Sequence, residues 1–136
     1  MRSKLNKLYR QTQMDAAGSG RQIEISILEM AAGKLRSCLG ETGEVAWSRD
    51  LDEAVRFNQK IWDVFTADWS NPQCPLDKSL RESLISLSVF VKKRSFKVIS
   101  QPSRQGLTSL VQLNDNLVQG LRHSSSAGEK PALSES

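Results

Sequence analysis

Residues 61–91 read IWDVFTADWSNPQCPLDKSLRESLISLSVFV. Ile61, Trp62, Phe65 and Trp69 recur at steps of three and four, which is the period of one helix face. Asn71-Pro72 ends that pattern, because the residue before a proline is pushed out of the α region. A proline-bounded loop follows to Pro75. From Asp77 the helical period resumes through Leu80, Leu84, Leu87 and Val91. Two amphipathic helices joined by a short loop favour antiparallel neighbours, the unit of a helical bundle.

Upstream, the first of these helices is predicted to start at Asp50, with Glu53 three residues on as a capping box. Its stripe is Leu51, Ala54, Val55, Asn58, Ile61, Trp62, Phe65 and Trp69. Asn58 is the polar interruption, either a buried specificity device or a residue at the stripe's edge. Trp47, just before this helix, suits a staple across the cap. Earlier still, Ile23, Ile27, Leu28, Ala31, Leu35, Cys38 and Leu39 mark a helix over residues 21–39, with Ser19 and Gln22 as its capping box. Gly40 ends it and Glu41-Thr42-Gly43 forms a turn. Residues 3–16 carry a weaker pattern through Leu5, Leu8, Tyr9 and Thr12, broken by Gly18-Ser19-Gly20.

Downstream, the helix from Asp77 extends to about Ile99. Ile85, Val89, Phe90 and Phe96 widen its stripe towards a second face, as in a helix that is central to its bundle or touches a partner. Gln101-Pro102 ends it. A last helix over residues 103–121 carries Leu107, Leu110, Val111, Asn114, Leu117, Val118 and Leu121. The remainder, HSSSAGEKPALSES, is Ser/Gly/Pro-rich and predicts disorder. Period-2 alternation is confined to short runs such as residues 23–27. The fold class is therefore all-α: a small antiparallel bundle of about four main helices plus a weak N-terminal helix, forming one domain over residues 1–122, with a disordered tail over 123–136.

The chain has 136 residues, 38% of them apolar and 25% charged, which fits one soluble globular domain. Nineteen Lys and Arg against fifteen Asp and Glu give a formal charge of +4. That mild basic balance permits an acidic partner or a nucleic acid without arguing for either. No stretch has the ~20 apolar residues of a membrane span, and the basic N-terminus lacks a signal-peptide core. Cytoplasmic location without membrane insertion is expected.

Catalytic signatures are missing. The sequence has no phosphate-cradling Gly-rich loop and no H-E-x-x-H pair. Its one histidine, His123, falls in the expected tail, so the commonest general base is absent from the folded part. Cys38 and Cys74 are too few and too far apart for a zinc site. Two reduced thiols are expected, although the sequence also permits a disulfide between them. No enzyme activity, cofactor or metal is expected.

Two surface features stand out. Lys92, Lys93, Arg94 and Lys97, with Arg104, form the strongest cationic cluster. They read either as an RNA or acidic-partner contact or as a solvated helix end whose cations complement the dipole. Trp62 and Phe65 at helical spacing read as core, whereas Trp69, Ile85, Val89, Phe90 and Phe96 are candidates for an apolar surface that receives a partner's amphipathic helix.

The residues quoted above resemble the FlaF family of flagellar biosynthesis regulators. The family shows an early tyrosine, then an arginine and glutamate opening the first long helix, matched by Tyr9, Arg21 and Glu24. It continues with a Trp-x-x-Phe pair, an aspartate and a proline loop, matched by Trp62, Phe65, Asp68 and Pro72. The most specific part is L-R-x-x-L-I-S-L-x-x-F-V, present as Leu80, Arg81, Leu84, Ile85, Ser86, Leu87, Phe90 and Val91. A final amphipathic helix matches at 106–121, so the resemblance covers roughly residues 5–121. The order Pro75-Leu76 departs from the family's usual Leu-Pro, and the linker 40–48 departs from a short turn. The resemblance implies a cytoplasmic flagellar regulator that binds unassembled flagellin through its terminal amphipathic helices, as a secretion chaperone that promotes flagellin production and export. It further implies a link to the regulator FlbT or to the flagellar export apparatus. Direct RNA binding in control of flagellin synthesis is the alternative.

Overall fold

The computed structural model describes residues 20–127, with side chains through His123. The weak helix expected over 3–16, the Ser19 cap and the tail beyond 127 lie outside the described residues. Within them the chain forms helices α1 (Gly20–Ser37), α2 (Arg49–Ser70), α3 (Lys78–Ser100) and α4 (Arg104–Ala127), and no strand.

Each boundary has a local cause. Gly40 at φ 66° and Gly43 at φ 89° take left-handed conformations that an L side chain resists, so α1 ends and the chain turns there. The cap of α2 is Ser48, whose Oγ accepts from Leu51 N at 3.0 Å. The expected Asp50–Glu53 box is thus displaced: the helix begins earlier, because Ser48 holds the extended backbone (φ −152°, ψ 165°) that a cap requires. At the other end of α2, Asn71 Oδ1 accepts from Gln73 N and the Asn71 carbonyl accepts from Cys74 N, closing a turn with Pro72 at its second position. Asp77 Oδ2 then caps α3 by accepting from Ser79 N and Leu80 N. The last helix outruns its expected end: residues 123–127 are helical, and His123 sits on α4.

The helices pack in a closed ring, α1 on α2, α2 on α3, α3 on α4 and α4 back on α1. Contacts between α1 and α4 run in opposite directions, Arg36 with Asp115 and Glu29 with Arg122, so the bundle is antiparallel. Leu28, Leu35, Leu51, Val55, Ile61, Trp62, Val91, Val98, Leu107 and Leu110 are its fully buried centre. In α1, Ile25 and Ala32 are buried as well, while Ile23, Cys38 and Leu39 lie only at the core's margin.

Two features of the packing differ from the periodicity alone. Asn58 and Asn114, on the diagonally opposed α2 and α4, are both 0% exposed. Asn114 Nδ2 donates to Asn58 Oδ1 at 2.7 Å and to the Leu28 carbonyl at 3.4 Å, while Asn114 Oδ1 accepts from Trp62 Nε1 at 2.9 Å. A polar node therefore crosses the middle of the bundle and joins α1, α2 and α4. Buried polar groups of this kind fix register, since sliding one helix would strand them. The second difference concerns α3, which is not central. Its buried line is Leu84, Ser88, Val91, Ser95 and Val98, with Leu80, Ile85 and Leu87 half-buried and Val89, Phe90 and Phe96 exposed. A helix with two neighbours in a ring buries one stripe, and the extra apolar residues stay outside it.

Candidate functional site

On α3, successive side chains advance by about 100°. Ile85, Val89 and Phe96 therefore share one flank, and Phe96 is 78% exposed. Lys92 and Lys93 border this flank, with Lys97 beyond, and all three are exposed. Phe90 points to a different side, where the Arg94 guanidinium lies 5.1 Å from its ring centre. That cation–π contact half-buries Arg94 and removes it from the lysine group. Arg104 is removed too. Its Nε donates to the Gly43 carbonyl at 2.5 Å and its Nη2 to the Leu39 and Gly40 carbonyls, so it ties the 38–48 loop to the start of α4. The cationic cluster thus reduces to three lysines beside an apolar strip.

Trp69 belongs elsewhere. It is 8% exposed, edge-on to Trp62 at 6.1 Å and tilted on Phe65 at 5.9 Å. Together with Phe65 it walls a cleft of ≈ 340 Å³ at the end of the bundle where α1 and α3 begin and α2 and α4 finish. The remaining lining comes from Arg21, Glu24 and Asp68, the loop residues Asn71 and Gln73 to Leu76, then Leu80, Leu84, Leu117, Gly120 and Leu121. Arg81 Nη1 reaches the Trp69 carbonyl at 3.5 Å beside it. The cleft was not legible in the sequence, because its walls come from four helix ends and one loop that meet only on folding. The proline loop was the signal available, since it fixes how the ends of α2 and α3 splay.

The five apolar candidates therefore divide among three places: Trp69 in the cleft, Phe90 under Arg94, and Ile85, Val89 and Phe96 on one open flank. Both cysteines are free thiols; burial, with a smaller contribution from Asp50, pushes the Cys38 thiol up from its ordinary pKa. Among the described residues no group of His, Cys, Asp and Glu is arranged to hold a metal, and no helix is long and apolar enough to cross a membrane.

The sequence model of the family described as flagellar protein FlaF matches residues 5–121. This chain belongs to the FlaF family. No curated protein and no solved structure matches it significantly. The FlaF match spans all of α1, α2 and α3 and most of α4, so the whole ring of helices is the family's domain. As a FlaF protein the chain is flagellar, and its surface features are to be weighed in that setting.

Proposed function

We propose that this FlaF protein binds unassembled flagellin in the cytoplasm as a secretion chaperone, promoting its production and export and acting with FlbT or the export apparatus. The observation that carries the reading is the α3 flank, where Phe96 and Val89 stand exposed beside half-buried Ile85. A contiguous exposed apolar patch marks a partner surface more often than scattered single residues do. Lys92, Lys93 and Lys97 along its edge suit a partner whose apolar face is bordered by carboxylates. An amphipathic terminal segment of flagellin would supply the apolar face. Laid along α3 by its apolar face, it would be kept from polymerising before export.

Co-purification of the full chain with flagellin, sized by light scattering at low and high salt, tests this. An equimolar complex that survives high salt is expected, because apolar contacts are not screened. Phe96→Asp with Val89→Asp, in a chain whose helical signal is unchanged, should abolish it. Retention of full affinity by that variant would remove flagellin from this flank.

RNA is the second reading. It is favoured by Lys92, Lys93 and Lys97, none of which pairs with a carboxylate among the described residues. It requires affinity that falls steeply with salt as counterions are released. RNA retention that is unaltered when all three lysines become alanine would end it.

A further inference from the structure

Helix α3 carries two lines of side chains. The buried one is Leu84, Ser88, Val91, Ser95 and Val98. A second, Lys78, Glu82, Ile85, Val89, Lys92 and Phe96, repeats the same alternation of four and three residues. At about 100° per residue it lies roughly 120° round the helix from the first, so it faces away from the core. Ile85 is half-buried and the other five are exposed. A sustained spacing of four and three is the seam of one helix against another, and among the described residues no helix covers this one.

The charges along the line divide about its middle. Glu82 precedes Val89, while Lys92, Lys93 and Lys97 follow it, all exposed and in no ion pair among the described residues. Two copies packed antiparallel about Val89 bring each residue after it opposite the residue equally far before it. Val89 then meets Val89, the Lys92 stem lies on Ile85, and Phe96 lies on the Glu82 methylenes of the second copy. Lys78 falls opposite Ser100. Lys97 of the second copy falls one residue, ~1.5 Å, along the axis from Glu82, and Lys93 three residues, ~4.5 Å, on the same side of the seam. The dyad repeats every contact, so both ends of the seam bring opposite charges together. A parallel pair would set three lysines against three, which disfavours it.

We infer that the α3 flank is also the contact between two copies of this chain, antiparallel about Val89. Six seam positions bury much less than the ~1,600 Å² of a standard interface, so the pair is weak and exchanges readily. Its consequence, that self-pairing covers the flank until flagellin displaces the second copy, rests on the proposed function; the pairing itself does not.

Cross-linking of the full chain by itself reads this geometry. In a Cys38→Ser, Cys74→Ser background the one thiol is the cysteine introduced. Helix axes about 8–10 Å apart, with Cα atoms ~2.3 Å from each axis, leave facing Cα atoms about 5 Å apart, within the ~7 Å that a disulfide allows. Val89→Cys should therefore form an intermolecular disulfide with itself, in a glutathione buffer, at least tenfold more favourably than Phe96→Cys, whose two copies stand ~21 Å apart along the axis. A mixture of Glu82→Cys and Phe96→Cys chains should give the mixed dimer in excess of either self-dimer. Equal yields from Val89→Cys and Phe96→Cys, the behaviour of random collision, would overturn the inference. Sedimentation velocity on the chain with no introduced cysteine is the second readout. The average mass should rise from monomer towards dimer between about 10 and about 300 µM, and Phe96→Asp with Val89→Asp should hold it at monomer. A monomer throughout, or a dimer that this variant keeps, overturns it as well. Flagellin enters neither measurement, so failure of the pairing leaves the chaperone reading intact, and failure of flagellin to co-purify leaves the pairing intact.

Discussion

Replacing Asn114 by leucine tests the reasoning about the bundle's centre. Asn114 makes two short hydrogen bonds, accepting from Trp62 Nε1 at 2.9 Å and donating to Asn58 Oδ1 at 2.7 Å, and a long third one to the Leu28 carbonyl. Leucine fills the space but makes none of them. The Trp62 N–H is left buried without an acceptor, and the Asn58 carboxamide, whose Nδ2 already has no partner, loses its remaining bond. Each stranded group costs about 1–3 kcal/mol, so the substitution should destabilise the protein by roughly 4 kcal/mol. That is a large share of a total stability of about 5–15 kcal/mol. In urea unfolding followed by circular dichroism, the midpoint should fall by roughly 2 M at an m-value of ~2 kcal/mol/M. Asn58→Leu should cost less than Asn114→Leu, because it removes an atom that is already unsatisfied. Asn58→Leu, Asn114→Leu and Trp62→Phe together remove every side-chain polar atom of the node and should recover more than half of the loss. If Asn114→Leu costs less than about 1 kcal/mol, or the triple variant is no more stable than the single one, the node does not hold the helices in register.

Two glycines in helices should respond in opposite directions. A Cβ at Gly106 would lie 2.9 Å from Val98 Cγ2 and 3.0 Å from Ser103 Oγ, so Gly106→Ala should destabilise by about 1–2 kcal/mol despite its better helix propensity. Gly33 has open space around it, so Gly33→Ala should stabilise by about 1 kcal/mol; thermal melts of the pair decide both. Asp77→Ala removes the cap of α3 and should cost ~1 kcal/mol, and backbone hydrogen exchange should quicken in the first turn of α3 rather than across the bundle. Cys38 holds its proton to higher pH in the folded state than in the unfolded one, because burial and Asp50 raise its pKa. Its contribution is therefore complete below the unfolded thiol pKa and is lost as pH rises through the folded one. Melting temperature should decline as pH rises from neutral through and beyond the ordinary thiol range, and the decline should be shallower in Cys38→Ser; parallel curves would show that Cys38 does not contribute to it.

Helix number, type and approximate ends were legible along the chain because each rests on neighbours in sequence. Pro72 and Gly40 stop helices wherever they occur in a segment, and Asp77 caps one with its own carboxylate. The start of α2 was misread by a residue or two because Ser48 and Asp50 are both competent caps, and tertiary packing selects between them. The apolar stripes of α2 and α4 were clear, since those helices present one wide face to the core. The stripe of α3 was not, because apolar residues lie around most of it, and spacing alone does not say which third of a helix its two neighbours cover.

The sequence by itself determined an all-α chain with the period, caps and stops of four principal helices, and it carried the LRxxLISLxxFV segment on which the resemblance to the family was read. Only the tertiary structure decided that Asn58, Asn114 and Trp62 meet at the centre, that Phe90 lies against Arg94 while Phe96 stays exposed, that Arg104 serves a loop, and that four helix ends enclose a cleft. The division has a physical reason. Caps, turns and helical period are set by residues within about four positions of one another, whereas burial, long-range hydrogen bonds and cavities depend on which helices become neighbours.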